Sequence, residues 1–110
     1  MNKFQARQGD IFFKSCSIPD LSKMKKKKDN ILAFGEVTGH SHCIKSHEFG
    51  TYESYLDDNG DIYLYSDEKD FEVGHDEHDT IKIPKNEWIC VSRQREYDPL
   101  AANQERLVKD

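Results

Sequence analysis

Four of the five histidines fall in two tight pairs, Gly39-His40-Ser41-His42 and Gly74-His75-Asp76-Glu77-His78. Residues two apart on a strand project from one face, so His40 and His42 can present two imidazoles to a common point, a recurrent way to seat a divalent metal ion. His75 and His78, three apart, converge on one side of a helical turn or a tight loop, with Asp76, Glu77 and Asp79 beside them. Imidazole with carboxylate suits a divalent metal ion, Zn first, with Fe, Mn or Ni as alternatives. The metal ligands read from the sequence are therefore His40, His42, His75 and His78. Three filled positions and one open would allow metal-activated water, whereas four filled positions would make the ion structural. The competing reading is that the carboxylates only raise the histidine pKa values and make a pH-sensitive patch.

Other side chains could complete such a site. Arg93 and Arg95 share one face near the end of an alternating run, with Tyr97 beyond them, and a guanidinium fork binds carboxylate or phosphate in bidentate fashion. These three are the candidate contacts for a small anionic ligand. The alternative for Arg95 is an ion pair with the surplus acids of residues 67–79. Glu96 could orient a ligand histidine, and Glu48 and Glu77 are further supporting carboxylates. His47 stands alone and reads as a surface residue, useful only as a spare ligand or proton shuttle. Cys43 points away from His42 and reads as core. Tyr52, Tyr55, Tyr63, Tyr65 and Trp88 read as half-buried sheet residues in preference to a base-stacking platform. No phosphate-binding glycine loop or nucleophile elbow occurs.

The elements that must position these groups are short strands. Asp10-Ile11-Phe12-Phe13-Lys14 and Ile31-Leu32-Ala33-Phe34 are brief apolar runs beside Gly9 and Gly35. Residues 51–56 and 62–65 form two strands joined by Asp57-Asp58-Asn59-Gly60-Asp61, whose Asn-Gly pair favours a hairpin turn. Thr80-Ile81-Lys82-Ile83 alternates, breaks at Pro84, and leads to a second alternating run from Glu87 to Tyr97, with Ile89, Val91 and Arg93 on one face and Trp88, Cys90 and Ser92 on the other. Asp98 as N-cap and Pro99 at the first position predict a short C-terminal helix to Val108. Residues 15–30, with Lys23 and Lys25 to Lys28, read as a Lys-rich mobile loop. The expected fold is mainly β, a small antiparallel barrel or sandwich over residues 1–110 as one domain.

Composition sets outer bounds. The chain has 110 residues, 34% of them charged, and a net charge of -5. No apolar run approaches the roughly 20 residues of a membrane helix, and no signal peptide opens the chain, so a cytoplasmic protein is expected. Three cysteines without C-x-x-C spacing are expected to stay reduced. Residues 1–46 carry nine Lys or Arg against four acids, residues 47–80 one against twelve, and residues 81–110 six against five. The acidic middle is the rarer feature, and a pI near 5.5 argues against general nucleic-acid binding. Edge strands in a domain this small admit a homodimer.

Two resemblances bear on this pattern. Gly35-Glu36-Val37-Thr38-Gly39-His40-Ser41-His42, followed by Glu48 and Gly50, resembles a loosened first motif of the cupins, with the Gly-to-His spacing one residue short and the second-motif histidine absent. It implies a small, cupin-like β-barrel. The succession Gln8-Gly9-Asp10, Gly35 to His42, His75-Asp76-Glu77-His78 and Gln94-Arg95-Glu96-Tyr97-Asp98-Pro99 resembles a family of small uncharacterised proteins encoded by phages and bacteria. That resemblance implies that the histidine pairs and the Gln-Arg-Glu-Tyr block belong to one site. Two functions then compete. One is a metal-binding β-barrel with an anionic ligand near the arginines. The other is a non-enzymatic, phage-type modulator that binds a host protein through the acidic surface of residues 57–79.

Overall fold

The computed structural model describes residues 3–34, 41–48, 50–76 and 78–93. Among these residues ten antiparallel strands run in the order β1 (Gln5–Gln8), β2 (Ile11–Cys16), β3 (Lys25–Lys26), β4 (Ile31–Phe34), β5 (Ser41–Ile44), β6 (Glu53–Leu56), β7 (Ile62–Tyr65), β8 (Phe71–His75), β9 (His78–Ile83) and β10 (Trp88–Arg93). They form a six-stranded sheet, β1-β2-β10-β7-β6-β3, and a four-stranded sheet, β4-β5-β8-β9. The mainly β expectation holds. A closed barrel does not form: the strands divide between two sheets. The expected C-terminal helix, Asp98 to Val108, lies outside the described residues. Among the described residues, no helix is long and apolar enough to cross a membrane.

Period-2 patterning explains the core. Ile11 and Phe13 of β2 point inward while Phe12 and Lys14 point out, and on β10 Ile89 and Val91 are buried between half-exposed Trp88, Cys90 and Ser92. With Ile62 and Leu64 they meet Leu32, Ile44, Phe71, Val73 and Ile83 of the other sheet in one apolar cluster. Each such side chain contributes roughly 1.5–3 kcal/mol on burial.

The turns follow local chemistry. Gln8 pairs with Ile11, leaving Gly9-Asp10 as a two-residue turn. Gly9 has φ 61° and Asp10 keeps a negative φ, the pattern of a type II′ hairpin. In the β6–β7 hairpin, Gly60 adopts φ 89°, and Asp57 Oδ1 accepts the N–H groups of Asn59 and Asp61. Asn59 itself keeps a negative φ, so only the glycine of the Asn-Gly pair takes the left-handed conformation.

Two departures from the sequence expectations concern strands with little apolar signal. The stretch 15–30, read as a loop, contains a single 3-10 turn at Leu21–Lys23 and then β3, where Lys25 and Lys26 pair with Leu56 and Tyr55. Backbone pairing needs no apolar side chain, so both lysines stay exposed while Lys27 N–H donates to Ser54 O. β8 lies inside the acidic middle, with Phe71 and Val73 buried and Glu72 facing out opposite Lys82.

Candidate functional site

The site is built where β1, the first strand of the larger sheet, lies against β9 of the smaller. β8 and β9 form a tight hairpin in which His75 and His78 are register partners, with a register shift between Val73 and His75. The side-chain amide of Gln8, only 3% exposed, enters this irregular end. Its Nε2 donates to Val73 O at 2.9 Å and to Asp79 O at 2.8 Å. Both amide hydrogens are thereby committed, so the side-chain oxygen must be the atom that faces His42 Nδ1 at 2.8 Å. An amide oxygen only accepts, hence His42 carries its hydrogen on Nδ1. Its lone pair is left on Nε2.

His42 sits on the inward face of β5, 2% exposed. Its ring centroid is 4.3 Å from that of His75 and 6.0 Å from that of His78, and His75 and His78 are 4.6 Å apart. Burial pushes the His42 pKa down from 6.5 to about 4; His75, His78 and Arg93 push the same way, and Asp10 opposes them. At neutral pH this imidazole is uncharged, the form that serves as a ligand or base.

The Gly9-Asp10 turn closes the other side. A Cβ on Gly9 would stand 2.7 Å from His78 Nε2 and 3.4 Å from His42 Cε1, so glycine is needed for this approach as well as for its positive φ. Asp10 Oδ1 lies 3.9 Å from His42 Nε2, and Asp10 Oδ2 accepts a 2.9 Å hydrogen bond from Arg93 Nε. Arg93 thus enters the cluster through a carboxylate.

Three of the four predicted ligands, His42, His75 and His78, come together. His75 and His78 do so through a β-hairpin, the tight-loop alternative to a helical turn. His40, Glu77, Arg95, Glu96 and Tyr97 lie outside the described residues. Glu48 is exposed, and its backbone carbonyl accepts from Thr51. Among the described residues, no group of three or more His, Cys, Asp or Glu side chains is arranged to hold a metal ion as it stands. The His42 and His78 ring planes are inclined by only 12°, with their centroids 6.0 Å apart.

His47 corrects its surface reading. It is 7% exposed, with Nδ1 2.7 Å from Ser46 Oγ and Nε2 3.1 Å from Ser66 Oγ, and packs against Tyr52 and Phe71. Cys43 does point away from His42, yet it is half-buried beside Ser41 Oγ and outside the core. Gln8 and Asp10 carried no chemical signal of their own in the sequence.

A family model described as a domain of unknown function, DUF8820, matches residues 7–94. That span includes the Gln8-Gly9-Asp10 turn, both histidine pairs and Arg93. No curated protein and no solved structure matches the chain.

Proposed function

The chain belongs to the DUF8820 family of domains of unknown function, and for it we propose a divalent-metal centre at the seam between the sheets, held by His42, His75 and His78. One observation carries the reading: Gln8, itself locked by two backbone carbonyls, fixes His42 in the Nδ1–H form and so presents an Nε2 lone pair inside a cluster of imidazoles. Metal-binding histidines characteristically donate their other N–H to a fixed oxygen in this way. Spacing agrees. Three imidazoles around a tetrahedral Zn with Zn–N of about 2.0–2.1 Å have ring centres about 5 Å apart, against the 4.3, 4.6 and 6.0 Å found here. The missing step is rotation of the rings, and His78, which is exposed, is free of core packing that would oppose it.

The donor set favours Zn, with Fe, Mn or Ni also compatible. Asp10, whose Oδ1 lies 3.9 Å from His42 Nε2, is a neighbouring carboxylate, and His40 is the remaining histidine of the sequence-derived set. With three imidazoles as ligands, the ion would supply Lewis-acid chemistry to a water or anion in the fourth position. Asp10 would hold a proton or orient that water, and Arg93, on the far side of Asp10, would receive the negative end of a small anionic ligand.

The test is elemental mass spectrometry and Zn titration calorimetry on tag-free protein, beside His42→Ala and Arg93→Gln. Near-stoichiometric metal that is lost in His42→Ala and kept in Arg93→Gln is the expected outcome. A folded wild-type protein that stays empty when Zn is offered overturns the proposal and turns attention to the acidic surface of residues 57–79.

A further inference from the structure

The outward face of the six-stranded sheet carries a second, unrelated surface. Strand register sets its rows: Arg7, Phe12 and Ser92 lie side by side on β1, β2 and β10; Gln5, Lys14, Cys90 and Tyr63 make the next row; and Cys16, Trp88 and Tyr65 the third, with the Trp88–Tyr65 pairing following from the register of their strands. Grooves open on this face among the described residues. One, of about 460 Å³, is walled by Arg7, Phe12, Lys14 and Ser92. The other, of about 930 Å³, is walled by Lys3, Cys16, Ile18, Tyr65, Glu87 and Trp88. Cys90, in the middle row, lies between them.

Three features of these grooves are unusual for a chain of net charge -5. Among the described residues their walls carry Lys3, Arg7 and Lys14 against one acid, Glu87. Planar groups stand at both ends: the Arg7 guanidinium lies 4.9 Å from the Phe12 ring centroid, and Tyr65 stacks on Trp88 at 5.3 Å and 30°. Large apolar side chains are left in solvent at the same place, Phe12 at 36% and Ile18 at 78% exposure. Along the strands, Ser92 and Trp88 are four residues apart, about 13 Å, enough to separate two stacking stations. Beyond Tyr65 the character changes, because Glu53 and Asp57 accept the hydroxyl hydrogens of Tyr55 and Tyr63. The cationic track therefore runs along β1, β2 and β10.

We infer that this face binds single-stranded nucleic acid, with bases stacking at Phe12/Arg7 and Trp88/Tyr65 and the backbone running past Lys3 and Lys14. A polyanionic polypeptide would use the cations and leave the aromatic faces without a role, whereas a single strand uses both. The acidic pI that argues against general nucleic-acid binding averages over the whole chain; the grooves are local, and the acids concentrate in residues 47–80, of which, among the described residues, Tyr65 lines them.

The test is fluorescence anisotropy with a labelled 12-mer single strand, the same sequence as a duplex, and polyglutamate as competitor, at low and moderate salt. Single-strand binding that quenches Trp88, weakens roughly 5- to 100-fold in Trp88→Leu, and shows a reduced salt slope in Lys14→Gln is expected. Lys14→Gln is an exposed substitution and keeps the test independent of any folding defect in Trp88→Leu, which circular dichroism would reveal. No binding by the wild type, equal affinity for the duplex, or displacement by polyglutamate at equal charge overturns the inference; the last outcome would assign the groove to an acidic protein. The metal centre plays no part in this test.

Discussion

Replacing Gln8 by Met removes the amide while keeping roughly its length and volume, so the change isolates hydrogen bonding from cavity formation. Three bonds are lost, at 2.8, 2.8 and 2.9 Å, from a side chain that is 3% exposed. At a net contribution of about 1 kcal/mol each, the loss is about 3 kcal/mol, and more if Val73 O is left without a donor in the dry interior. For a domain of this size 1 kcal/mol moves Tm by roughly 4–8 °C, so a fall of roughly 10–25 °C is expected. Thermal and urea unfolding by circular dichroism read the stability. Nitrogen-detected NMR of the imidazoles reads the chemistry: His42 should be Nδ1-protonated in the wild type and lose that preference in Gln8→Met. A wild-type His42 protonated on Nε2, or a loss of stability below about 0.5 kcal/mol, would show that Gln8 does not set the tautomer and would remove the main support for the metal centre.

Two further outcomes follow from the same geometry. Gly9→Ala places a Cβ 2.7 Å from His78 Nε2 at φ 61°; the left-handed backbone costs about 1–2 kcal/mol, and because exposed His78 can swing aside, the larger effect should be at least a tenfold weaker Zn affinity by calorimetry, an expectation that undiminished affinity would refute. His47 has its pKa lowered below 6.5, first by burial and then by Lys69, with Glu68 opposing. Its contribution to stability is therefore full above pH 6.5, where folded and unfolded forms are both neutral, and is lost as pH falls below 6.5, where only the unfolded chain takes the proton readily. The urea midpoint of the metal-free protein should drop between pH 7.5 and pH 5, and less steeply in His47→Gln; equal slopes would remove His47 from that account.

What the sequence made legible was whatever depends on neighbours along the chain. Alternation in Glu87 to Arg93 correctly sorts Ile89 and Val91 from Trp88 and Cys90. The glycine after Asn59 marks the β6–β7 hairpin. Strands without apolar content are a different matter: Gln5-Ala6-Arg7-Gln8 has a single apolar residue and was not recognisable as β1, and Lys25-Lys26 reads as a solvated run although its backbone completes the edge of a sheet. β8 was concealed by charge, since the Phe71 and Val73 alternation is only three residues long inside a run of carboxylates. The candidate site divides in the same way. Pairs two and three residues apart announce the histidines, but the partners that orient them arrive from 34, 65 and 71 positions away, through bonds that link Gln8 to His42, Val73 and Asp79. No local pattern encodes such contacts.

Gln8 stands where the two sheets meet without pairing. β1 lies against β9 without a backbone ladder between them, and the amide of one side chain supplies hydrogen bonds where a closed barrel would have continuous pairing. A polar residue buried at such a seam is costly unless every donor and acceptor is matched. Here the match includes His42, so the packing of the two sheets and the presentation of its Nε2 lone pair depend on the same three bonds. Any ion captured by His42, His75 and His78 would tie β5 to the β8–β9 hairpin. The first link of that chain, Gln8 on β1, already joins the hairpin to the larger sheet. Binding would then stabilise the folded state by mass action, as for any ligand held only by that state. Zn added to the wild type should therefore raise Tm, and the same addition to Gln8→Met should raise it by less, because in that variant the free energy of binding must first restore the His42 orientation that the amide otherwise supplies.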